Sequence, residues 1–281
     1  MSALPILQGF LGAGPRAVAR SALFGAPLDA TGSYRPGSRF GPGAIRMASP
    51  VLEDWSPTLA ASLADRPFCD LGDLELAPAD TAVALQAIGS LVAALLAEGK
   101  RPLMLGGEHL VTWPAVRAAA RRHPDLAVLQ LDAHCDLRPD YLGQVASHAT
   151  VMRRVAEVIG PERCYQLGIR SGTAEEWTYA ERHTRFLPHG RALPPAWRQE
   201  LAARPVYVTV DVDYADPAYA PGTGTPEPGG ATAAELLALI DGLAGLTIVG
   251  ADIVEVAPAY DAGGITAVLA AKVARELLLL P

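Results

Sequence analysis

The residues able to do chemistry stand where apolar runs end. LQLDAHCD closes on Asp132, His134 and Asp136; VTVDVD closes on Asp211 and Asp213; MLGGEH closes on His109. In an extended chain alternate residues share a face, so Asp132 and His134 point together, as do Asp211 and Asp213. Asp136 joins them if the extended geometry persists or the chain curls back. Carboxylates gathered in this way repel one another and shift each other's pKa, and a cation removes that cost. Carboxylates with imidazoles suit Mn, Zn, Fe or Co rather than thiolate chemistry. Six such ligands are too many for one tetrahedral ion. They fit two ions, ~3.5–4 Å apart, bridged by shared aspartates. A single Asp-x-Asp at a strand end is commonly a turn or a helix cap. Two pairs plus GGEH, all at strand ends, are not explained that way.

The elements that must position these groups are legible as a pattern. Apolar, β-rich runs cover 21–27, 101–105, 126–131, 164–169, 206–210 and 246–253. Between them lie Ala-rich amphipathic stretches at 81–99, 110–122, 150–159, 232–243 and 265–280. This alternation makes βαβ units and a parallel sheet. Runs such as AVLQL and VYVTV read as strands covered by helices on both faces. In such sheets ligands bind beyond the carboxyl ends of the strands. Two Pro/Gly-rich segments, 32–43 and 216–230, are read as long ordered loops over the site.

Other candidates are weighed one by one. Cys135 lies between two proposed ligands, but alternation turns it into packing. His123 is expected as an exposed residue near a helix end. His183 and His189 are expected in loops without a catalytic role. His148, in SHAT, has two readings: a residue of a capping turn closed by Ser147 or Thr150, or a proton shuttle reaching over the metals. Glu255 ends IVGADIVEV, where an acid is costly unless paired, and a cationic substrate would supply the partner. Asp252 in the same run is given no role.

The chain has 281 residues, half of them apolar, and a formal net charge of −7. One domain over 1–281 is expected, with 1–20 an extension of unclear role. The charge has the wrong sign for a general nucleic-acid binder. Cys69, Cys135 and Cys164 are too few and too scattered for a disulfide scaffold. No apolar run approaches the ~18 residues of a membrane span. The expectation is a cytoplasmic protein without nucleic-acid or membrane partners.

Taken in order, these residues resemble the ureohydrolase family, which includes arginases, agmatinases, guanidinobutyrases and formiminoglutamases. The resemblance rests on GGEH (106–109), DAHCD (132–136), SHAT (147–150), DVDYADPAYAPGTGTPEPGG (211–230) and ADIVEVAP (251–258). RPGSRFGPGAIRMAS (35–49) and DLGDL (70–74) also fit, so it covers nearly the whole chain. It implies a three-layer α/β/α sandwich around a mostly parallel eight-stranded sheet, two Mn²⁺ ions, and a homotrimer or homohexamer. Co, Ni, Fe and Zn are alternatives that the ligand set also accepts. By resemblance, His109, Asp132, Asp136 and Asp211 hold one ion, and Asp132, His134, Asp211 and Asp213 the other. The resemblance further implies that water acidified by two cations would attack the guanidinium carbon, with Asp136 orienting it. Glu255 would bind the guanidinium N–H groups, and His148 would protonate the departing amine, leaving urea. Glu108 stands where many relatives have Asp, and Ala149 where others have Gly.

The segment LRPDYLGQVASHAT lacks the Asn and the Gly pair of arginases, and the motifs resemble the agmatinase-like branch. That implies a small cationic guanidino substrate, agmatine, cleaved to putrescine and urea. Arg138, Asp140, Tyr141 and Gln144 are candidates for the tail pocket, or else solvated loop residues. The rival substrate is a guanidino acid of the guanidinobutyrase, arginase or formiminoglutamase kind, anchored by Arg138 or Arg153. A binuclear metallophosphoesterase would need GD and GNH(E/D) motifs after its DxH, and neither follows. A non-catalytic metal-binding relative is the remaining alternative.

Overall fold

The computed structural model describes residues 9–77 and 80–281. Residues 1–8 of the N-terminal extension lie outside them. The chain runs β1 (Ser21–Ala26), α1 (Gly41–Ala48), β2 (Trp55–Ser56), β3 (Ala61–Ser62), β4 (Phe68–Asp73), α2 (Thr81–Ala97), β5 (Arg101–Gly106), α3 (Thr112–Arg122) and β6 (Ala127–Leu131). It continues α4 (Val151–Ile159), β7 (Cys164–Leu167), α5 (Ala174–His183), β8 (Arg185–Leu187), α6 (Pro195–Ala202), β9 (Pro205–Asp211), α7 (Ala233–Asp241), β10 (Thr247–Val254) and α8 (Ile265–Leu279). β2 and β3 form a small antiparallel hairpin. The other eight strands make one sheet, ordered β4-β1-β5-β10-β9-β6-β7-β8. Every neighbouring pair in it is parallel.

Strand alternation splits the core into two layers. Leu23, Leu105, Leu129, Val208 and Ile253 face one side, under residues of α1, α6, α7 and α8. Phe24, Met104, Val128, Tyr207 and Val254 face the other, under α2, α3, α4 and α5. This is the expected three-layer sandwich. Among the described residues no helix is long and apolar enough to cross a membrane.

Three local expectations need correction. The segment 32–43 is not loop throughout, because a 3₁₀ turn occupies Ser38–Phe40 and α1 starts at Gly41. Pro42 supplies the preset φ of a helix start. A Cβ on Gly41 would stand 2.6 Å from the Val256 carbonyl oxygen, so this glycine serves close approach. His183 is the last residue of α5 rather than a loop residue, and His123, which caps α3, is only partly exposed. The segment 216–230 remains irregular, as expected.

Arg46 of α1 is buried against β4. Its Nε and Nη2 donate to the two oxygens of Asp70 at 2.8 and 3.0 Å, and Nη1 reaches Asp73. Losing one partner of such a cluster leaves buried charge uncompensated. Arg46→Met is therefore expected to lower stability by ~3–5 kcal/mol, read as the midpoint of urea unfolding. An unchanged midpoint would refute the assignment of this cluster as a tie between α1 and the sheet.

Candidate active site

The central strands β5, β10, β9 and β6 are adjacent in the sheet, and their carboxyl ends deliver the site. His109 follows β5, Glu255 follows β10, Asp211 ends β9 with Asp213 in the 3₁₀ turn after it, and Asp132 to Asp136 follow β6. Asp136 joins the cluster because the chain curls back. Its φ is +54°, and its carbonyl accepts from Met152 and Arg153 N–H at the start of α4. Glu255 is also left-handed, at φ +64°. Non-glycine residues in this region are strained, and such strain gathers at functional sites.

His109 Nδ1 lies 3.1 Å from Asp132 Oδ2, 3.1 Å from Asp136 Oδ2 and 3.5 Å from Asp211 Oδ2. It makes no aligned hydrogen bond to any of them. Its other nitrogen, Nε2, is 2.9 Å from Thr209 Oγ1. His134 Nδ1 lies 2.9 Å from Asp213 Oδ2 and 3.7 Å from Asp132 Oδ1. Two sets of donor atoms are compact enough to hold an ion: His109, Asp132 and Asp211, and Asp132, His134 and Asp213. Asp132 belongs to both. Buried imidazole and carboxylate donors, with His109 Nδ1 and Asp213 Oδ2 making no aligned hydrogen bond, fit divalent cations of the borderline or hard kind.

Electrostatics report the same crowding. Burial, then the charge of Asp132, pushes Asp136 up to about 7. Burial and Asp213 hold Asp211 well above the ordinary carboxylate range. Burial, with Glu108, raises Glu255 to about 8. Burial opposes protonation of His134, but Asp213 and Asp132 outweigh it and carry the ring up to about 12.

Glu255 Oε1 accepts the His109 backbone N–H at 2.7 Å, which ties the acid to the metal-facing loop. His148 opens the 3₁₀ turn before α4. Ser147 and Thr150 close a capping box around it, which is the capping-turn reading of the sequence. His148 Nδ1 lies 3.2 Å from Ser147 Oγ and 3.3 Å from Thr31 Oγ1, and Nε2 lies 3.3 Å from Ser33 Oγ. Burial and then His134 lower its pKa to about 4. Glu108 accepts from Ala30 and Thr31 N–H, fixing the loop that carries Thr31 and Ser33.

His109, His134, Asp136, His148, Asp211 and Glu255 line one cavity of about 310 Å³. Arg138 and Tyr141 line it too, whereas Asp140 and Gln144 are exposed outside it. Arg153 stacks over Tyr179, 4.2 Å from the ring centre, and is not part of the lining. Cys135 is fully buried against Gly172, as alternation predicts, and both residues belong to the cavity lining. Thr31, Ser33, Thr209 and Gln130 were not singled out from sequence. Alternation from Asp211 and Asp132 marks the last two, whereas nothing local marks the first two.

Comparison with known proteins agrees with this geometry. The family model described as the Arginase family matches residues 19–280. An agmatinase of Bacillus subtilis is 48% identical over 261 residues, covering 92% of this chain and 90% of the relative. An agmatinase of Halalkalibacterium halodurans is 45% identical over 264 residues, covering 92% and 91%. The crystal structure of the agmatine ureohydrolase of Thermoplasma volcanium superposes with a TM-score of 0.88 at 36% identity, covering 98% of this chain and 94% of that one. Fold and site together define a metal-dependent amidinohydrolase. The chain belongs to the arginase family.

The raised groups fix a pH dependence. Asp136 and Glu255 keep their protons in the folded metal-free chain to about 7 and about 8, against ordinary values of 3.8 and 4.5. His134 keeps its proton above 6.5 as well. From pH 6.5 to 8.5 the folded state therefore binds more protons than the unfolded one, and stability falls as pH rises. His148 and His123, both lowered, oppose this, but their effect fades above pH 6.5 as the unfolded imidazoles lose their protons. Divalent cations displace those protons, so metal affinity rises over the same window. The melting temperature of chelator-stripped protein should fall from pH 6.5 to 8.5, and Mn²⁺ titrations should tighten. A stripped protein that grows more stable across this window would contradict the charge assignment.

Proposed function

We propose that the protein hydrolyses agmatine to putrescine and urea at a centre of two divalent cations, manganese in the first instance. The observation that carries this is Asp132, shared by two His/Asp donor sets facing the cavity that also holds Glu255 and His148. His109, Asp132, Asp136 and Asp211 would hold one ion, and Asp132, His134, Asp211 and Asp213 the other. When bound, the cations supply acidified water and offset the clustered negative charge. Asp136 orients the attacking water toward the guanidinium carbon. Glu255, with Oε1 committed to the His109 N–H, offers its other oxygen to the guanidinium N–H groups. His148 hands a proton from that water to the departing amine, leaving urea. The same reading extends to a cytoplasmic homotrimer or homohexamer.

Two observations favour agmatine over a guanidino acid. The relatives at 45–48% identity are agmatinases. The cation best placed to meet a carboxylate, Arg138, lies 3.5 Å from Glu176 and stacks on Tyr141, so its charge is already matched. Agmatine has no carboxylate and a second positive charge, which suits a net acidic cavity.

Urea release from agmatine, arginine and guanidinobutyrate, with Mn²⁺ present, decides the substrate. Agmatine should give the highest kcat/KM, and absence of urea from all three would sink the assignment. His148→Ala should lower kcat by ~10²–10⁴-fold with little change in KM. Asp132→Asn should cost one bound ion; two ions retained at full occupancy would refute its bridging role.

A further inference from the structure

Beneath the site, a row of polar side chains crosses β10, β9, β6 and β7. Strand register pairs Asp252 with Thr209, Thr209 with Gln130, and Gln130 with Gln166. All four are fully buried. Burying such groups is costly unless their hydrogen bonds are made, so their placement calls for a physical role.

The bonds have a direction. Asp132, as a carboxylate, only accepts, so the Gln130 amide must turn its Nε2 toward it, at 2.7 Å. Gln130 Oε1 then faces Gln166, whose Nε2 donates to it at 2.7 Å and to the Cys135 carbonyl at 2.9 Å. Gln166 Oε1 in turn accepts from Thr184 Oγ1 at 3.0 Å. Neither amide can flip without breaking a buried bond. On the other side, Thr209 Oγ1 stands 2.9 Å from His109 Nε2, with Thr112 Oγ1 3.3 Å beyond. A proton held on Nε2 by Thr209 leaves Nδ1, which is turned to the carboxylates, as the nitrogen that would bind an ion.

We propose that Thr209 and the Gln130–Gln166 pair are positioning residues that hold His109 and Asp132 in the tautomer and rotamer required for metal binding. The proposal rests on the two-metal reading above. Partners of this kind commonly shift metal affinity by ~10–100-fold.

The test is calorimetric titration of chelator-stripped protein with Mn²⁺, followed by kinetics. Thr209→Val keeps the shape and loses the hydroxyl. It should weaken Mn²⁺ binding ~10–100-fold and lower kcat while leaving the KM for substrate unchanged. Gln130→Met should do the same through Asp132. Thr209→Ser, which restores the hydroxyl, should recover metal binding. Folded Thr209→Val and Gln130→Met proteins that bind two ions with wild-type affinity would overturn the proposal. If either fails to fold, Thr209→Ala, which also removes the hydroxyl, decides: a tenfold or greater loss of Mn²⁺ affinity supports the hydroxyl's role, and wild-type affinity refutes it. A wild-type chain that takes up no Mn²⁺ overturns the two-metal reading as well. A wild-type chain that takes up two ions, beside unaffected variants, overturns this inference alone.

Discussion

Like charges forced together out of water are the constraint on which the rest of the structure depends. Asp132, Asp211 and Asp213 are buried at the ends of neighbouring strands, with Asp136 nearly so. In a medium of low dielectric they cannot all ionise unless opposite charge enters. The imidazoles of His109 and His134 supply some of it and are driven toward protonation in consequence. A fold that keeps such a cluster must hold it rigidly, because relaxation into water would relieve the repulsion. A central parallel sheet, with helices over both faces, provides that rigidity.

The sheet order explains why residues distant in sequence meet. β5, β10, β9 and β6 are neighbours in space although β10 is the last strand of the chain. Each contributes the residue or pair just beyond its carboxyl end, and the flanking strands contribute the walls. The loop after β1 brings Thr31 and Ser33 to His148, and the segment after β7 brings Ser171 and Thr173 to the cavity. Fixed backbone geometry at Asp136 and Glu255, both left-handed, turns their carboxylates inward where ordinary strand geometry would not.

Much of this was legible in the sequence because its strongest signals are local. Apolar runs ending in acid announced β5, β6, β9 and β10, and alternation within three residues placed Asp132 beside His134. Weak local signals hid the rest. RFL is too short to announce β8, and the polar sequence AEEWTYAERH hid α5, whose helix is capped by Thr173 and Glu176. GPGAIRMA hid α1, since two glycines lower its helical propensity, and the reason for one of them, Gly41, is the Val256 carbonyl far along the chain. Gln130 and Thr209 were absorbed into runs read as apolar, although each stands two residues before a candidate ligand. Thr31 could not be found at all from sequence, because its partner His148 is 117 positions away.

The bond between Glu255 Oε1 and the backbone N–H of His109 has a consequence of its own. The acid that faces the cavity is bonded to the backbone N–H of the residue whose imidazole faces the carboxylates. On the proposed roles of the two residues, metal and guanidinium would be bound at the two ends of one hydrogen bond, and any coupling carried through it is reciprocal by thermodynamics. Whatever guanidinium gained from a loaded centre, the centre would gain from guanidinium by the same factor.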